Sequence, residues 1–445
     1  MNVVVGSLLG AALLITTLAH AEVPQNCRLG AYRLTDGSVV DIAPSEGPTY
    51  RWRRFDGTTG ALQETKPDLW SSTYGWTGRP DGKTVSFDCA AGKIRFDGMN
   101  GSRISFDVTD VTFKGREVDL AGRLVLPQGK GPVPIVVLVH GAEHDSALDW
   151  YALQRLLPAE GVGAFVYDKR GTGKSAGTYS QDFSLLADDA VAAMREARRL
   201  AGPRAGRIGY QGGSQGGWVA PLAATRAPVD FVIVSFGLAV SVIDEDRQAV
   251  ELEMRTKGYG PDVIAKALEI AEAAESLVAS RFTEGFERFD AVRAKYRNEP
   301  WYKDVHGNFT HLILPFATAA EMQEQLQKWI PLLDTPMNYD PMPTLRTVTA
   351  PQLWILGEDD FEAPSAETSR RLQALGAEGR PITLALYPHA EHGMTEFEVA
   401  ANGERVSTRF CAGYFAMMRD FARSGKLNGR YGASTITLPK SVHSE

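Results

Sequence analysis

One serine of the chain lies in a motif that favours nucleophilic catalysis. The segment GGSQG at 212–216 fits the pattern G-x-S-x-G, in which a sharp turn between a strand and a helix lifts the serine hydroxyl out of a sheet. Small neighbours let the backbone close around that serine, and the helix N-terminus supplies unpaired N–H groups. A strand is predicted before the motif at 207–210 and a helix after it, near Trp218. Ser214 is therefore the candidate nucleophile.

A histidine must accept the proton of the serine hydroxyl. His392 stands in a loop after the last predicted strand, which lets its ring reach over the sheet edge toward Ser214. His389 is the alternative, and whichever of the two does not act is expected to face solvent. The four acids at 358–362 follow another predicted strand, so one of them is expected to orient the imidazole. A solvated acidic turn is the other interpretation of this cluster.

An acyl-transfer site also needs N–H donors where negative charge develops. One donor is the backbone N–H of Gln215, directly after the candidate nucleophile. The second donor is expected just after the strand that ends at Val139, and we assign it to Ala142. A plain turn at His140-Gly141 is the alternative.

The elements that position these residues alternate between strand and helix. Continuous apolar runs are typical of strands buried on both faces of a parallel sheet. They lie at 134–139, 163–167, 207–210, 231–234, 353–356 and 382–386. Helical stretches separate them, for example at 185–200 and 365–375, which predicts an α/β fold with a doubly wound, mostly parallel sheet. From 238 to 345 the periodicity is helical, with Pro261 at a helix start, which predicts a helical cap inserted in the sheet.

Residues 22–103 are predicted to form a small β-rich module. Asp-Gly pairs at 36, 56, 81 and 97 are turn signals between short alternating runs. Cys27 and Cys89 lie near its ends and are expected to form a disulfide, two buried thiols being the alternative. Cys411 is expected to pack in an apolar helix. The aromatic residues of the module are expected to build its core rather than a glycan or peptide platform; they are Tyr50, Trp52, Trp70, Tyr74 and Trp76.

The first 21 residues are typical of a secretory signal peptide. They carry no charged side chain, and they end in Ala19-His20-Ala21, a small-x-small cleavage pattern. Cleavage after Ala21 is expected, with a secreted or periplasmic mature protein and no membrane span; a membrane anchor is the alternative. The expected signal peptide spans 1–21 and the β-rich module 22–103. The core is expected in two parts, 104–237 and 346–430, with the cap between them at 238–345 and a tail at 431–445.

Composition excludes several classes of function. The 445 residues carry 47 Lys and Arg against 54 Asp and Glu, a net charge of −7, which argues against a nucleic-acid groove. Three cysteines cannot build a four-cysteine zinc site. His140, His144 and Asp145 lack the one-face spacing of a helical metal pair. No metal and no cofactor are therefore expected.

These motifs together resemble the α/β-hydrolase superfamily over roughly 104–430, and within it secreted esterase-like members near the serine aminopeptidase and acyl-hydrolase groups. The matching pieces are His140-Gly141, the turn at 168–175, the motif at 212–217, Gly357-x-x-Asp360-x-x-x-Pro364 and His392-Gly393. The family's spacing selects Asp360 over Asp359, and the order Ser, Asp, His is that of the family. The resemblance implies hydrolysis of carboxylic esters through an acyl-enzyme on Ser214. Glu143, beside the expected oxyanion hole, departs from the pattern and puts anionic substrates in doubt.

The expected partner is a small-molecule ester, and other functions stay open. An aminopeptidase or thioesterase can use the same triad; an aminopeptidase also needs a cap carboxylate for the substrate amine, with Glu251, Glu253 and Glu321 as candidates. A non-catalytic glycan- or cell-wall-binding protein is a further alternative. Aromatic residues of the cap are expected either to roof an apolar acyl pocket or to pack the cap helices; they are Trp301, Tyr302, Phe309, Phe316 and Trp329.

Overall fold

The computed structural model describes residues 27–440, apart from 46, 48, 317 and 328–333. The expected signal peptide at 1–21, with its cleavage site after Ala21, lies outside the described residues, as does Trp329. The described chain forms an N-terminal β-barrel, a main domain built on a large sheet, and a helical cap inserted into that domain. Within these residues, no helix is both long enough and apolar enough to cross a bilayer.

Eight strands of the described chain close into an antiparallel barrel. They are β1 (Gly30–Leu34), β2 (Val39–Pro44), β3 (Tyr50–Arg54), β4 (Thr59–Lys66), β5 (Leu69–Thr73), β6 (Pro80–Asp88), β7 (Lys93–Phe96) and β8 (Met99–Arg103). The Asp-Gly pairs at 36, 56 and 97 occupy turns between strands, as predicted, with each glycine at positive φ. The pair at 81 lies inside β6 instead. There the pairing with β5 shifts register, so the positive φ of Gly82 belongs to a bulged strand.

The barrel has its own apolar core and a covalent closure. Trp52 and Trp70 are buried in that core, as expected, whereas Tyr74 and Trp76 are 42% and 38% exposed on its surface. The disulfide between Cys27 and Cys89 is formed, which confirms the predicted pairing. Both ends of the barrel sequence are thereby joined.

The main domain contains one large sheet and one small sheet. After the barrel come β9 (Phe106–Lys114), β10 (Asp119–Pro127), β11 (Val133–Val139), β12 (Gly163–Tyr167), β13 (Ala205–Gly213), β14 (Phe231–Ser235), β15 (Gln352–Gly357), β16 (Ile382–Tyr387), β17 (Ala390–Glu391), β18 (Thr395–Val399), β19 (Arg405–Phe410) and β20 (Thr435–Thr437). In the described residues the large sheet has the order β20-β16-β15-β14-β13-β11-β12-β10-β9, and β11 to β16 are parallel. These six strands coincide with the predicted apolar runs, so the predicted doubly wound sheet is confirmed.

Helices cover both faces of the large sheet. The described helices are α1 (Ala147–Trp150), α2 (Leu153–Ala159), α3 (Phe183–Ala201), α4 (Gly216–Arg226), α5 (Val242–Thr256), α6 (Pro261–Ala279), α7 (Phe286–Tyr296), α8 (Thr310–Ile313), α9 (Ala319–Gln327), α10 (Met342–Thr347), α11 (Ser365–Ala377) and α12 (Tyr414–Ser424), with 3₁₀ turns at Gly202–Arg204 and Tyr302–Asp304. Helices α3, α4 and α11 share one core with the sheet, and α1, α2 and α12 share the other.

The cap lies between β14 and β15 and has a separate core. Its helices α5 to α9 contribute to one apolar cluster, which contains Ala271 and Leu277 fully buried. Trp301 is buried in this cluster, and Tyr302, Phe309 and Phe316 pack half-buried against it. These aromatic side chains therefore pack the cap helices.

Two segments differ from the sequence expectation. The expected tail at 431–445 contributes β20, which pairs antiparallel with the edge strand β16 through Ile436 and Ala385. Its run of three residues is too short to carry a recognisable strand pattern. Cys411 does not lie in a helix but directly after β19, where it is a buried free thiol.

Candidate active site

Ser214 lies in the turn between β13 and α4, the context that the motif predicts. Its φ is +52°, a left-handed conformation that side chains rarely adopt. The turn is tight because a methyl group on Gly212 would lie only 2.2 Å from the carbonyl oxygen of Gly216. The backbone N–H of Ser214 donates to Ser235 O at 3.1 Å, which fixes the turn to the neighbouring strand β14. This geometry presents the half-buried Ser214 at the carboxyl edge of the sheet.

Asp360 and His392 meet at the same edge of the sheet. Asp360 follows β15 and is fully buried, and its Oδ2 lies 3.0 Å from Nδ1 of His392. Its Oδ1 accepts the backbone N–H groups of Glu362 and Ala363 at 3.0 and 2.8 Å. His392 occupies the turn between β17 and β18. The carboxylate is thus held so that it faces one nitrogen of the imidazole.

The rival residues form a second, exposed pair. Nδ1 of His389 lies 3.3 Å from Oδ2 of Asp359, and the His389 side chain is 88% exposed. His389 therefore faces solvent, the position predicted for whichever of the two histidines is not the base. The fourth acid of the cluster, Glu358, is exposed.

One aromatic ring, that of Phe236, links His392 to the turn that carries Ser214. The Phe236 ring lies 4.8 Å from the imidazole of His392 and occupies the space beside Gly213, next to Ser214. Among the described residues, no hydrogen bond joins the Ser214 hydroxyl to His392, whose Nε2 lies 3.5 Å from Oε2 of Glu362. Catalytic hydrogen bonds commonly tighten only when substrate binds. The structure thus brings Asp360 and His392 into contact, and the Phe236 ring touches both His392 and the turn that carries Ser214.

Carboxylates dominate the electrostatics around His392. Burial alone would lower the pKa of His392, but Asp360 and the charges of Glu362 and Glu245 outweigh burial and raise the pKa to about 9. Glu245 lies in the first turn of α5, at the start of the cap. Burial raises its own pKa well above the ordinary value, although the charge of His392 acts in the opposite direction.

The expected oxyanion loop packs against the nucleophile turn. A methyl group on Gly141 would lie 3.4 Å from Gly213 O, so the two backbones are adjacent. In the described chain, neither the N–H of Ala142 nor the N–H of Gln215 has a protein acceptor. Both donors thus retain their capacity to bind a substrate oxygen.

A buried lysine orients this loop. Nζ of Lys169, which is 2% exposed, donates to the carbonyl of Gly141 at 2.7 Å. In a trans peptide the C=O and the following N–H point in opposite directions, so the N–H of Ala142 is directed away from Lys169. Tyr179 donates to the carbonyl of Ala142 and fixes the next peptide in the same way. Burial lowers the pKa of Lys169 to about 8 although Glu143 favours its charged form.

Glu143, which departs from the family pattern, is turned toward its own loop. Its Oε1 accepts the hydroxyl of Tyr151 and the N–H of Gly141, and lies 3.2 Å from Nδ1 of His140. Burial would raise the pKa of Glu143, but His140 and Tyr151 outweigh burial and lower it to about 2. The carboxylate is thus ionised and engaged within the loop.

Sequence reasoning missed three residues of the site and had a fourth, Glu362, only as one of the four acids that could orient the imidazole. Lys169, Phe236, Glu245 and Glu362 reach it because loops and the cap fold over the sheet edge. The signal for Glu245 was present, since it lies in the first turn of the helix that follows β14. Of the cap acids expected from the sequence, Glu251 pairs with Arg255, Glu253 is half-buried and Glu321 is exposed. No group of three metal-binding side chains occurs within the described ranges.

Comparison with known proteins places the main domain and cap in one family. The family described as Serine aminopeptidase, S33 (Hydrolase_4) matches residues 130–399, more than half of the chain. No curated protein matches this chain in sequence. Solved structures similar to this chain include an acylaminoacyl peptidase of Pyrococcus horikoshii, with 16% identity, 88% of this chain and 57% of that one covered, and a TM-score of 0.44. The chain thus spans little more than half of that peptidase.

Two similar structures are esterases. One is from Pyrococcus furiosus, with 15% identity, 64% of this chain and 84% of that one covered, and a TM-score of 0.39. The other is brefeldin A esterase, described as a bacterial homologue of human hormone-sensitive lipase. Its sequence is 15% identical, the match covers 65% of this chain and 70% of the esterase chain, and the TM-score is 0.39.

Proposed function

Because the chain belongs to the serine aminopeptidase S33 family of α/β-hydrolases, we propose that it is a serine esterase that cleaves small carboxylic esters through an acyl-enzyme. The observation that carries this proposal is the contact of 3.0 Å between Asp360 and His392 at the sheet edge where Ser214 stands. A carboxylate behind the imidazole stabilises the protonated ring that forms during catalysis.

The residues act in two half-reactions. His392 removes the proton of Ser214 as its oxygen attacks the ester carbonyl, and the N–H groups of Ala142 and Gln215 bind the resulting oxyanion. When the oxyanion collapses, the bond to the leaving alkoxide breaks and His392 protonates it, which leaves the acyl group on Ser214. Water, deprotonated by His392, then attacks the acyl-enzyme and releases the carboxylic acid. Asp360 holds the imidazole in the required tautomer.

The expected export is part of the proposal. A signal peptide removed after Ala21 would release the enzyme into the periplasm or the medium, where disulfides persist. The disulfide between Cys27 and Cys89 supports that location.

Removal of the nucleophile tests the proposed activity. Ser214→Ala is expected to abolish turnover of p-nitrophenyl butyrate and labelling by a fluorophosphonate probe, with an unchanged melting temperature. Ser102→Ala, which alters an exposed serine of the barrel, is the control and keeps both activities. Turnover that survives in Ser214→Ala contradicts the proposal, and a wild-type protein that neither turns over esters nor is labelled points to the non-catalytic binding function.

A second candidate function is an aminopeptidase, which Glu245 favours. Glu245 lies half-buried in the first turn of the cap helix α5, and its charge raises the pKa of His392. Burial disfavours the ionised form of Glu245, and a substrate α-amine bound beside it would restore that form. Turnover of aminoacyl p-nitroanilides is compared with that of matched esters and thioesters. A rise in KM for the amine substrates alone in Glu245→Gln supports the aminopeptidase, and an equal effect on all substrates opposes it.

A further inference from the structure

A single hairpin determines where His392 stands. His392 lies in the turn that connects β17 to β18, and β18 pairs in turn with β19. The hairpin of β18 and β19 therefore begins three residues after the candidate base. The hydroxyl of Ser407, on β19, donates to Oε1 of Glu391 at 2.5 Å and so ties the outer strand to the residue before His392.

The same hairpin holds the loop that carries Asp360. Arg405, at the start of β19, donates to the carbonyl of Asp359 at 2.5 Å. Its guanidinium lies 3.6 Å from the ring centre of Phe361 and 4.2 Å from that of Phe397. Both residues that flank Asp360 are thus in contact with β19. A displacement of the hairpin would therefore move Asp360 and His392 together.

The outer side of this hairpin is bound by the barrel. The N–H of Phe410 donates to Gly57 O, and the N–H of Trp76 donates to Ser407 O, each at 2.9 Å. The approach is close because a methyl group on Gly57 would lie 2.3 Å from Phe410 O. The Trp76 ring meets that of Phe410 edge-on at 5.6 Å, and Arg409 donates to Asp56 O at 2.7 Å.

The barrel is also anchored elsewhere on the main domain. Arg155 of α2 donates two hydrogen bonds, at 2.5 and 3.0 Å, to the fully buried carboxylate of Asp41. Arg33 of the barrel donates to the carbonyl of Ala159, at the end of α2, at 2.7 Å. These contacts fix the barrel to α2 independently of the hairpin.

We propose that the barrel is a positioning module, which clamps the hairpin of β18 and β19 and thereby holds His392 and Asp360 in register for catalysis. The inference rests on the proposed function, because it assigns the barrel a part in the same reaction. Asp56, Gly57 and Trp76 are its contact residues and act only through the hairpin. Backbone hydrogen bonds are suited to this task because they fix a strand in one register.

Matched substitutions separate positioning from stability. Gly57→Ala disturbs the barrel–hairpin contact, and Gly37→Ala is its control, because Asp36-Gly37-Ser38 forms the same turn with nothing within 4 Å of an added methyl group. Trp76→Ala removes the edge contact with Phe410 at a partly exposed site. Tyr74→Ala, two residues earlier and similarly exposed, is the control.

A fall in kcat is the expected result. A misplacement of about 1 Å can cost ~10²-fold in rate, so Gly57→Ala and Trp76→Ala are expected to lower kcat for p-nitrophenyl butyrate at least about tenfold, with KM within about twofold. The two controls keep kcat. Melting curves verify that each variant is folded at the assay temperature. The proposal is overturned if Gly57→Ala and Trp76→Ala melt earlier but keep the wild-type kcat, or if the controls lose as much.

A second measurement does not depend on turnover. The proton between His392 Nδ1 and Asp360 is expected to give a downfield NMR resonance, identified by its absence in Asp360→Asn. We expect this resonance to shift or broaden in Gly57→Ala and Trp76→Ala and to stay in place in the controls. An unmoved resonance overturns the positioning role. This readout distinguishes its failure from failure of the proposed esterase activity, which Ser214→Ala tests.

Discussion

Removal of one exposed charge should make the enzyme faster at neutral pH. In the structure the imidazole of His392 lies between Asp360, 3.0 Å from Nδ1, and Glu362, 3.5 Å from Nε2, and its pKa is raised to about 9. A protonated imidazole cannot act as a base, so kcat/KM is expected to rise with pH up to about 9. Glu362→Gln removes one of the charges that favour the protonated ring.

The size of the effect follows from exposure. The Glu362 side chain is 70% exposed, so water screens its pairing with His392. Exposed ion pairs contribute about 0.2–1 kcal/mol, and 1.36 kcal/mol corresponds to one pKa unit, so the pKa should fall by roughly half a unit. Far below the pKa, a fall of this size raises the neutral fraction of the imidazole about threefold. At pH 7 the variant should therefore have about three times the wild-type kcat/KM.

The assay is a pH profile of kcat/KM for p-nitrophenyl butyrate, measured from pH 5 to 10. Glu358→Gln is the control, because Glu358 is exposed in the same loop and is not among the carboxylates that raise the pKa of His392. An acid limb that stays in place or moves upward in Glu362→Gln would show that Glu362 does not raise the pKa of His392. The raised pKa also predicts that the contribution of protonated His392 to the free energy of unfolding is fully present below pH 6.5 and is lost as the pH rises through about 9.

Two further predictions concern the oxyanion loop and the barrel. Lys169→Met leaves the carbonyl of Gly141 without its donor. It should lower kcat by about 10²-fold, the effect of losing one oxyanion donor, with little change in KM. Lys174→Met, at an exposed lysine of the same turn, is the control, and equal kcat in both variants would argue against an orienting role. Joint replacement of Cys27 and Cys89 by serine should lower the free energy of unfolding by about 2–4 kcal/mol, because their bond closes a long loop. Urea unfolding measures this change, and an unchanged midpoint contradicts it.

The parallel sheet was predictable because burial on both faces leaves a continuous apolar signal. The runs at 134–139 and 353–356 correspond to β11 and β15 within one or two residues at each end. The closed barrel was not predictable in the same way. Its turns are local, but closure depends on the pairing of β1 with β8, some seventy residues apart, which no local pattern reports. The pair Asp81-Gly82 also shows that one turn signal serves a bulge equally well.

In the candidate site, too, local spacing was predictive and long-range contacts were not. Ser214 was predicted from local spacing, and the family's spacing selected Asp360 over Asp359, whose partner is the exposed His389. The contact of Glu362 with His392 and the role of Lys169 were not predicted, because both depend on how loops fold back over the sheet edge. The place of Glu245 just after β14 was visible in the sequence, but that the folded cap brings this first turn of α5 toward His392 was not.

The insertion point of the cap has an evolutionary consequence. The chain leaves the sheet after Ser235 and re-enters it at Gln352, in the strand immediately alongside. The entropy of closing such an excursion grows only logarithmically, by about 0.6 kcal/mol for each doubling of its length. A descendant could therefore carry a shorter or longer cap while the strands β13, β14 and β15, which lead to Ser214 and Asp360, stay paired in the same register.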